Sequence, residues 1–167
     1  NMYFKKILIL FFLFAFAVQA VANTPRSTGK YKNWESFSME TDKGKICFAQ
    51  TIPTKRAPSS IKRGQSKLFV TFWAAEKIKD EISLTSGHTY KTSSVTAASG
   101  KNKFSFFSQN KFAWLLDEKE EQSFIKLMKR ATNVIIKART DKGAETTDHY
   151  SMMGFTKAYN TAKKTCG

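Results

Sequence analysis

Apolar and polar residues alternate through Lys45–Ile52 (KICFAQTI), a pattern that predicts a half-buried strand stopped by Pro53. From Leu68 the alternation changes character. Leu68, Val70 and Phe72 fall on one side and Phe69, Thr71 and Trp73 on the other, both rich in large apolar groups, so this segment predicts a central strand. Upstream, Trp34, Phe37 and Met39 open an extended segment, whereas Asn23–Asn33 (NTPRSTGKYKN) shows no apolar periodicity and reads as a flexible leader. Short β-forming runs follow at Glu81–Thr85, Tyr90–Thr96, Lys103–Ser108 and Phe112–Leu116, divided by Ser86-Gly87-His88 and Ser99-Gly100-Lys101-Asn102. Regular short strands with turn punctuation predict an antiparallel sandwich or barrel.

Two segments switch to helical spacing. Asp117-Glu118-Lys119-Glu120 has the form of a capping box, and Phe124, Ile125, Leu127 and Met128 recur behind it, which predicts a helix over Glu118–Arg130. Phe155, Ala158, Tyr159 and Ala162 mark a second helix, with Lys163-Lys164 near its negative end. Between them, Asn133–Arg139 and Glu145–Ser151 predict a strand pair around Asp141-Lys142-Gly143, where Gly143 supplies the permissive turn backbone.

The N-terminal pattern is of another kind. Ile7–Val18 is twelve consecutive apolar residues, preceded by Lys5-Lys6 and followed by Ala20-Val21-Ala22. A basic start, an apolar core and small residues at the end predict an export signal cleaved after Ala22, with Ala20 and Ala22 at the cleavage site. Even Ile7–Ala22, at sixteen residues, falls short of the ~20 needed to span a bilayer. No cysteine follows to receive a lipid. Residues 34–167 then form one domain.

Export changes what the two cysteines are expected to be. In an oxidising compartment Cys47 and Cys166 pair when geometry allows, and only one intrachain pairing exists; two reduced thiols or an intermolecular bridge through Cys166 are the alternatives. With only Cys47, Cys166, His88 and His149 available, and these scattered, no closed metal site is expected. No glycine loop for a nucleotide phosphate is present either, because Gly100-Lys101 lacks the rest of a Walker motif. No cofactor is expected.

Asp148-His149-Tyr150-Ser151 carries the residue types of a hydrolytic triad, but on a strand His149 and Ser151 share one face and Asp148 takes the other, so this acid is not expected to orient this imidazole. No catalytic residue is assigned. His88, beside Gly87 in a turn, reads as a solvated loop residue. The acids Asp117, Glu118, Glu120 and Glu121 are explained by the positive end of the helix they begin.

Charge is the remaining signal. The chain holds 28 Lys and Arg against 13 Asp and Glu; without residues 1–22, which contain Lys5 and Lys6 and no acid, 26 bases face 13 acids, a formal charge of +13. Pro53–Lys67 (PTKRAPSSIKRGQSK) concentrates Lys55, Arg56, Lys62, Arg63 and Lys67 in one predicted loop, a candidate anion-binding site for an anionic envelope component or an acidic protein partner. A solvated, merely solubilising loop is the competing reading. Nucleic acid is an alternative partner, because Phe69, Trp73, Phe104 and Phe106 sit on basic strands as in base-stacking proteins, although export argues against it. An enzyme with an unrecognised site is a second alternative.

Cys47-Phe48-Ala49, Pro53-Thr54-Lys55 and, above all, the closing run Ser151-Met152-Met153-Gly154-Phe155-Thr156-Lys157-Ala158 resemble the invasion-associated locus B family of exported alphaproteobacterial proteins. The resemblance covers roughly Trp34–Cys166, with Met152 where leucine is usual and His149 where a small polar residue is usual. It implies an exported, mainly β, immunoglobulin-like antiparallel sandwich with a role at the periplasm or cell envelope, in a family named for host-cell entry. It implies no enzymatic activity. Within its motif Ser151, Gly154 and Phe155 are the marker residues; independently, Gly154 is expected to permit a tight turn and Phe155 to anchor the last helix.

Overall fold

The computed structural model describes residues 23–167, and the expected export signal with its Ala20 and Ala22 lies outside them. Twelve strands and two α-helices make up the described chain: β1 (Arg26–Tyr31), β2 (Trp34–Thr41), β3 (Gly44–Thr51), β4 (Lys55–Ala57), β5 (Lys67–Trp73), β6 (Ile78–Thr85), β7 (Thr96–Ser99), β8 (Asn102–Ser105), β9 (Phe107–Gln109), β10 (Phe112–Trp114), α1 (Glu118–Arg130), β11 (Asn133–Arg139), β12 (Glu145–Ser151) and α2 (Phe155–Cys166). They form two antiparallel sheets, one in the order β1-β2-β3-β5-β6-β10-β9 and one in the order β4-β12-β11-β7-β8. The protein is mainly β.

Both sheets send alternate residues into one core. Leu68, Val70, Ile82, Leu84 and Ala113 come from the larger sheet, Ala97, Val134, Ile136 and Tyr150 from the smaller, and Phe124, Met128, Phe155 and Tyr159 from the helices. Strand periodicity places these residues on the inner faces, and burial of apolar area drives the layers together. α1 begins where its cap predicts: the Asp117 carboxylate accepts hydrogen bonds from the backbone N–H of Lys119 (2.7 Å) and Glu120 (3.3 Å). The hairpin β11–β12 runs in full register from Asn133 opposite Ser151 to Arg139 opposite Glu145.

Three segments differ from their expected structure. Residues Arg26–Tyr31, expected as a flexible leader, are β1, an edge strand paired with β2. A strand needs only backbone partners, and an edge strand needs no apolar alternation. Tyr90–Thr96, expected as a strand, contributes only a bridge from Tyr90 to Thr140 before β7 opens at Thr96, because Ser93 takes φ +58° and breaks the extended backbone. Lys103–Ser108 is two strands rather than one. Phe106 leaves the ladder, donates its N–H to the Val95 carbonyl and buries its ring against Phe124, so β8 joins the smaller sheet and β9 the larger.

Gly154 explains how α2 is launched. It adopts φ +91°, and a Cβ there would sit 1.7 Å from the Tyr31 carbonyl oxygen, so only glycine lets β1 pass this close. Phe155 then packs its ring 4.8 Å from that of Trp34, whose indole N–H donates to the Ser151 carbonyl. All three marker residues therefore have work in the fold. At the other end of α2, Cys166 forms a disulfide with Cys47 in β3, the two Cα atoms lying 5.8 Å apart across 119 residues of chain.

Candidate anion-binding surface

The loop between β3 and β5 does not present its five bases as one patch. The Arg63 side chain is 2% exposed and forms a two-pronged ion pair with Asp148, itself 1% exposed: Nη2 to Oδ1 at 2.7 Å and Nη1 to Oδ2 at 3.0 Å. The same guanidinium donates to the Ser66 hydroxyl and the Ser86 carbonyl, both at 3.1 Å. Arg63 is thus a latch that holds the loop on the inner face of the smaller sheet, and the expectation that it binds an outside anion is corrected. A guanidinium fork matches a carboxylate and is held by it once water is excluded.

Arg56 is partly engaged as well. Its Nε lies 3.7 Å from Asp148 and its Nη2 donates to the Gly64 carbonyl at 2.6 Å. Lys55 and Lys62 point to solvent, and Lys67 is half-buried on β5. The loop keeps two freely exposed lysines.

Asp148 and His149 occupy opposite faces of β12, as expected, with Asp148 buried on Arg63 and His149 partly exposed. Among the described residues no group of three His, Cys, Asp or Glu could hold a metal ion. His88, expected in solvent, is buried instead. Its Nε2 pairs with the Thr146 hydroxyl at 2.9 Å and its Nδ1 with the Thr89 carbonyl at 3.0 Å, which makes Nδ1 a protonated, donating nitrogen. Burial lowers its pKa below the usual histidine value, with Arg63 adding to the effect. Of the aromatic residues considered for base stacking, Phe106 is buried and Phe104 packs edge-on against Phe124, which leaves Phe69 and Trp73 on the outer side of the larger sheet.

A denser collection of positive charge lies where β1, α1 and α2 meet. A groove of about 490 Å³ is lined by Lys30, Tyr31, Lys32, Lys129, Met152, Gly154, Thr156 and Lys157; among the described residues its wall has four ammonium groups and no carboxylate. Each lysine arrives by a different route. Lys30 is the penultimate residue of β1, Lys32 turns the chain toward β2 at φ +57°, Lys129 lies in the last turn of α1, and Lys157 in the first turn of α2. Lys129 is steadied by the Tyr159 ring, 4.7 Å below its Nζ.

The start of α2 adds to the field. No side chain among the described residues caps this helix and no acid occupies its first turn, so the partial positive charge of its end goes uncompensated beside Lys157. A second groove, of about 420 Å³, shares Lys30 and Lys32 and runs on past Gln50, Thr51 and Thr54, but its lining includes the carboxylate of Glu35, the cross-strand partner of Lys30. The first groove alone offers a phosphate, sulfate or carboxylate ligand only positive or neutral groups.

No sequence signal marks these four lysines, which are separated by as many as 127 residues, from Lys30 to Lys157. Charge density along the chain ignores which bases are already paired, so it does not tell the buried Arg63 from the exposed Lys55 and Lys62. Comparison with family models, with curated proteins and with solved structures finds no match to this chain.

Proposed function

We propose that this protein is an exported, non-enzymatic binding or adaptor protein of the cell envelope that takes hold of a polyanionic component through the lysine groove. The observation that carries the reading is the four-lysine wall without a carboxylate, set against a helix end that no acid compensates. Such a wall raises the local potential and recruits anions over about a Debye length, ~8 Å at physiological salt. The disulfide between Cys47 and Cys166 speaks for an oxidising compartment outside the cytoplasm. The same reading takes the chain as a member of the invasion-associated locus B family, with its two antiparallel sheets arranged as an immunoglobulin-like sandwich. The Ser151, Gly154 and Phe155 motif and the two-sheet architecture support that part.

The test is retention on immobilised heparin, and on lipopolysaccharide, across a salt gradient. Changing Lys30, Lys32, Lys129 and Lys157 to Gln is expected to weaken binding at least about tenfold, since each lysine beside an anionic surface contributes on the order of 1 kcal/mol. A charge-matched variant with Lys55, Lys62, Lys101 and Lys142 changed to Gln is expected to bind nearly as the parent does. Equal weakening in both variants would reduce the groove to a share of the overall charge and reject the site.

A further inference from the structure

The outer side of the larger sheet is covered by no helix or strand among the described residues, since its inner-side residues Val70, Phe72 and Ile82 are the ones that share the core with α1, α2 and the smaller sheet. Cross-strand pairing lines the outer side chains up in rows. One row runs through Glu35 on β2, Gln50 on β3, Phe69 on β5, Ser83 on β6, Trp114 on β10 and Phe107 on β9, five strand spacings or about 24 Å. The next row holds Phe37, Phe48, Thr71 and Glu81. Its two rings stack at 5.1 Å, and Phe48 meets Phe69 edge-on at 6.0 Å, so the rows join into one aromatic floor. At its end Phe107 is 51% exposed, with its ring 6.4 Å from that of Trp114.

Polar groups are set among the rings. The Gln50 amide and the Thr71 and Ser83 hydroxyls share the rows with the aromatic positions, and beside Glu81 the floor opens into a groove of about 280 Å³ lined by Trp114, Leu116, Glu81, Glu121, Lys77 and Lys79 among others. That groove offers hydrogen-bond acceptors and donors together, two carboxyl groups beside two ammonium groups. Other bases stand at the borders of the face, Lys30 continuing the first row on β1 and Lys67 opening β5. Between Glu35 and Glu81, the middle of the face is thus aromatic and uncharged, on a chain of formal charge +13 beyond residue 22.

This mixture selects the occupant. A bilayer would cover the rings but would take Gln50, Thr71, Ser83 and the two carboxylates of the rows out of water without partners, at a cost for each. A polyanion would find no base in the middle of the face. A β-linked polysaccharide has flat C–H faces for the rings and hydroxyls along both edges for the polar groups, and its sugars repeat every ~5 Å, close to the ~4.8 Å between neighbouring strands. Laid along the first row, it sets about one sugar over each strand. The rings take up its C–H faces as they do other apolar surface, and the hydroxyls give Gln50 and Ser83 the partners that lipid lacks.

We propose that the outer face of the larger sheet is a saccharide-binding strip, in which Phe69, Trp114 and Phe107 carry the sugar rings of a neutral, β-linked polysaccharide and Gln50 and Ser83 hydrogen-bond its hydroxyls. The strip does not rest on the reading of the lysine groove. The test uses protein recovered from an exporting bacterial host and isothermal titration with cellohexaose; maltohexaose, the same sugars in a curved α-linked chain, is the control for shape. Binding is expected to cellohexaose and not to maltohexaose, and is expected to change little as salt is raised. Phe69→Ala with Trp114→Ala is expected to weaken it at least about tenfold, as the loss of two stacked rings requires. Phe107→Ser, at a position exposed enough to leave folding untouched, is expected to weaken it about threefold alone, with circular dichroism and thermal midpoint as in the parent. Lys129→Gln with Lys157→Gln is expected to leave it unchanged. Absence of cellohexaose binding, equal binding of maltohexaose, or full affinity in both aromatic variants would each overturn the proposal. Self-association without sugar that Phe107→Ser removes would overturn it as well, in favour of a second copy.

Discussion

Replacing Arg63 by Met tests whether this base is a latch or a ligand. In the native fold it makes two bonds to Asp148 at 2.7 and 3.0 Å and two more to Ser66 and Ser86, with both charged side chains almost wholly out of water. Its removal leaves the Asp148 carboxylate with only the distant Arg56 Nε at 3.7 Å. Breaking a buried pair from one side costs about 3 to 5 kcal/mol, because the surviving charge stays desolvated. For a domain of this size each kcal/mol moves the thermal midpoint by about 2 to 4 °C, so a drop of roughly 10 °C is expected. Replacing Asp148 as well, in Arg63→Met with Asp148→Leu, removes both charges and is expected to recover most of that stability. Urea titrations of the parent, both single variants and the double variant give the coupling energy directly. If Arg63→Met kept its stability to within about 1 kcal/mol and gave up heparin retention instead, the latch would be refuted and the residue would return to the anion site.

Gly154→Ala is expected to cost at least about 3 kcal/mol or to prevent folding, since its Cβ would collide with the Tyr31 carbonyl at 1.7 Å; Gly143→Ala, at φ +89° with nothing within 4 Å, is expected to cost only about 1 kcal/mol in the same denaturation assay. Changing Cys47 and Cys166 to Ser opens a link across 119 residues and is expected to cost about 4 to 5 kcal/mol before any native strain is subtracted, with mass spectrometry of unreduced protein checking that the parent holds the bridge. Burial pushes the Glu121 carboxyl up to about 7, with neighbouring Glu81, Asp80 and Glu118 adding to the rise and the Ile82 N–H opposing it. The folded state therefore holds this proton where the unfolded state, from about 4.5 upward, has lost it, so stability falls as pH rises from about 4.5 to 7. Glu121→Gln is expected to flatten that slope by on the order of 1 kcal/mol, a value reduced because the group is partly exposed; an unchanged slope in thermal midpoint against pH would contradict it.

Elements whose stabilising signals are neighbours in the chain are readable from the sequence alone. The bounds of α1 follow from Asp117 and the spacing of Phe124, Ile125, Leu127 and Met128, and the β11–β12 hairpin follows from two β-forming runs around Gly143. Counting cysteines leaves one intrachain partner for Cys47, and that disulfide is present. In these cases the relevant energy comes from groups within one or two turns of each other, or from a choice of one, so local pattern is enough.

The site is different, because it depends on groups that meet across the fold. Arg63 looks like any other base in its loop until the chain brings Asp148, 85 residues away, within 2.7 Å and takes its charge out of circulation. β1 looks unstructured until β2 offers it a ladder, and Gly154 looks like a simple turn glycine until β1 passes 1.7 Å from where its Cβ would stand. Lys30, Lys32, Lys129 and Lys157 form one positive wall only because a strand end, a turn and two helices converge on a groove whose own lining holds no carboxylate. A one-dimensional pattern records which groups could carry charge or be buried; long-range packing chooses which charges are paired and which remain free to meet a ligand.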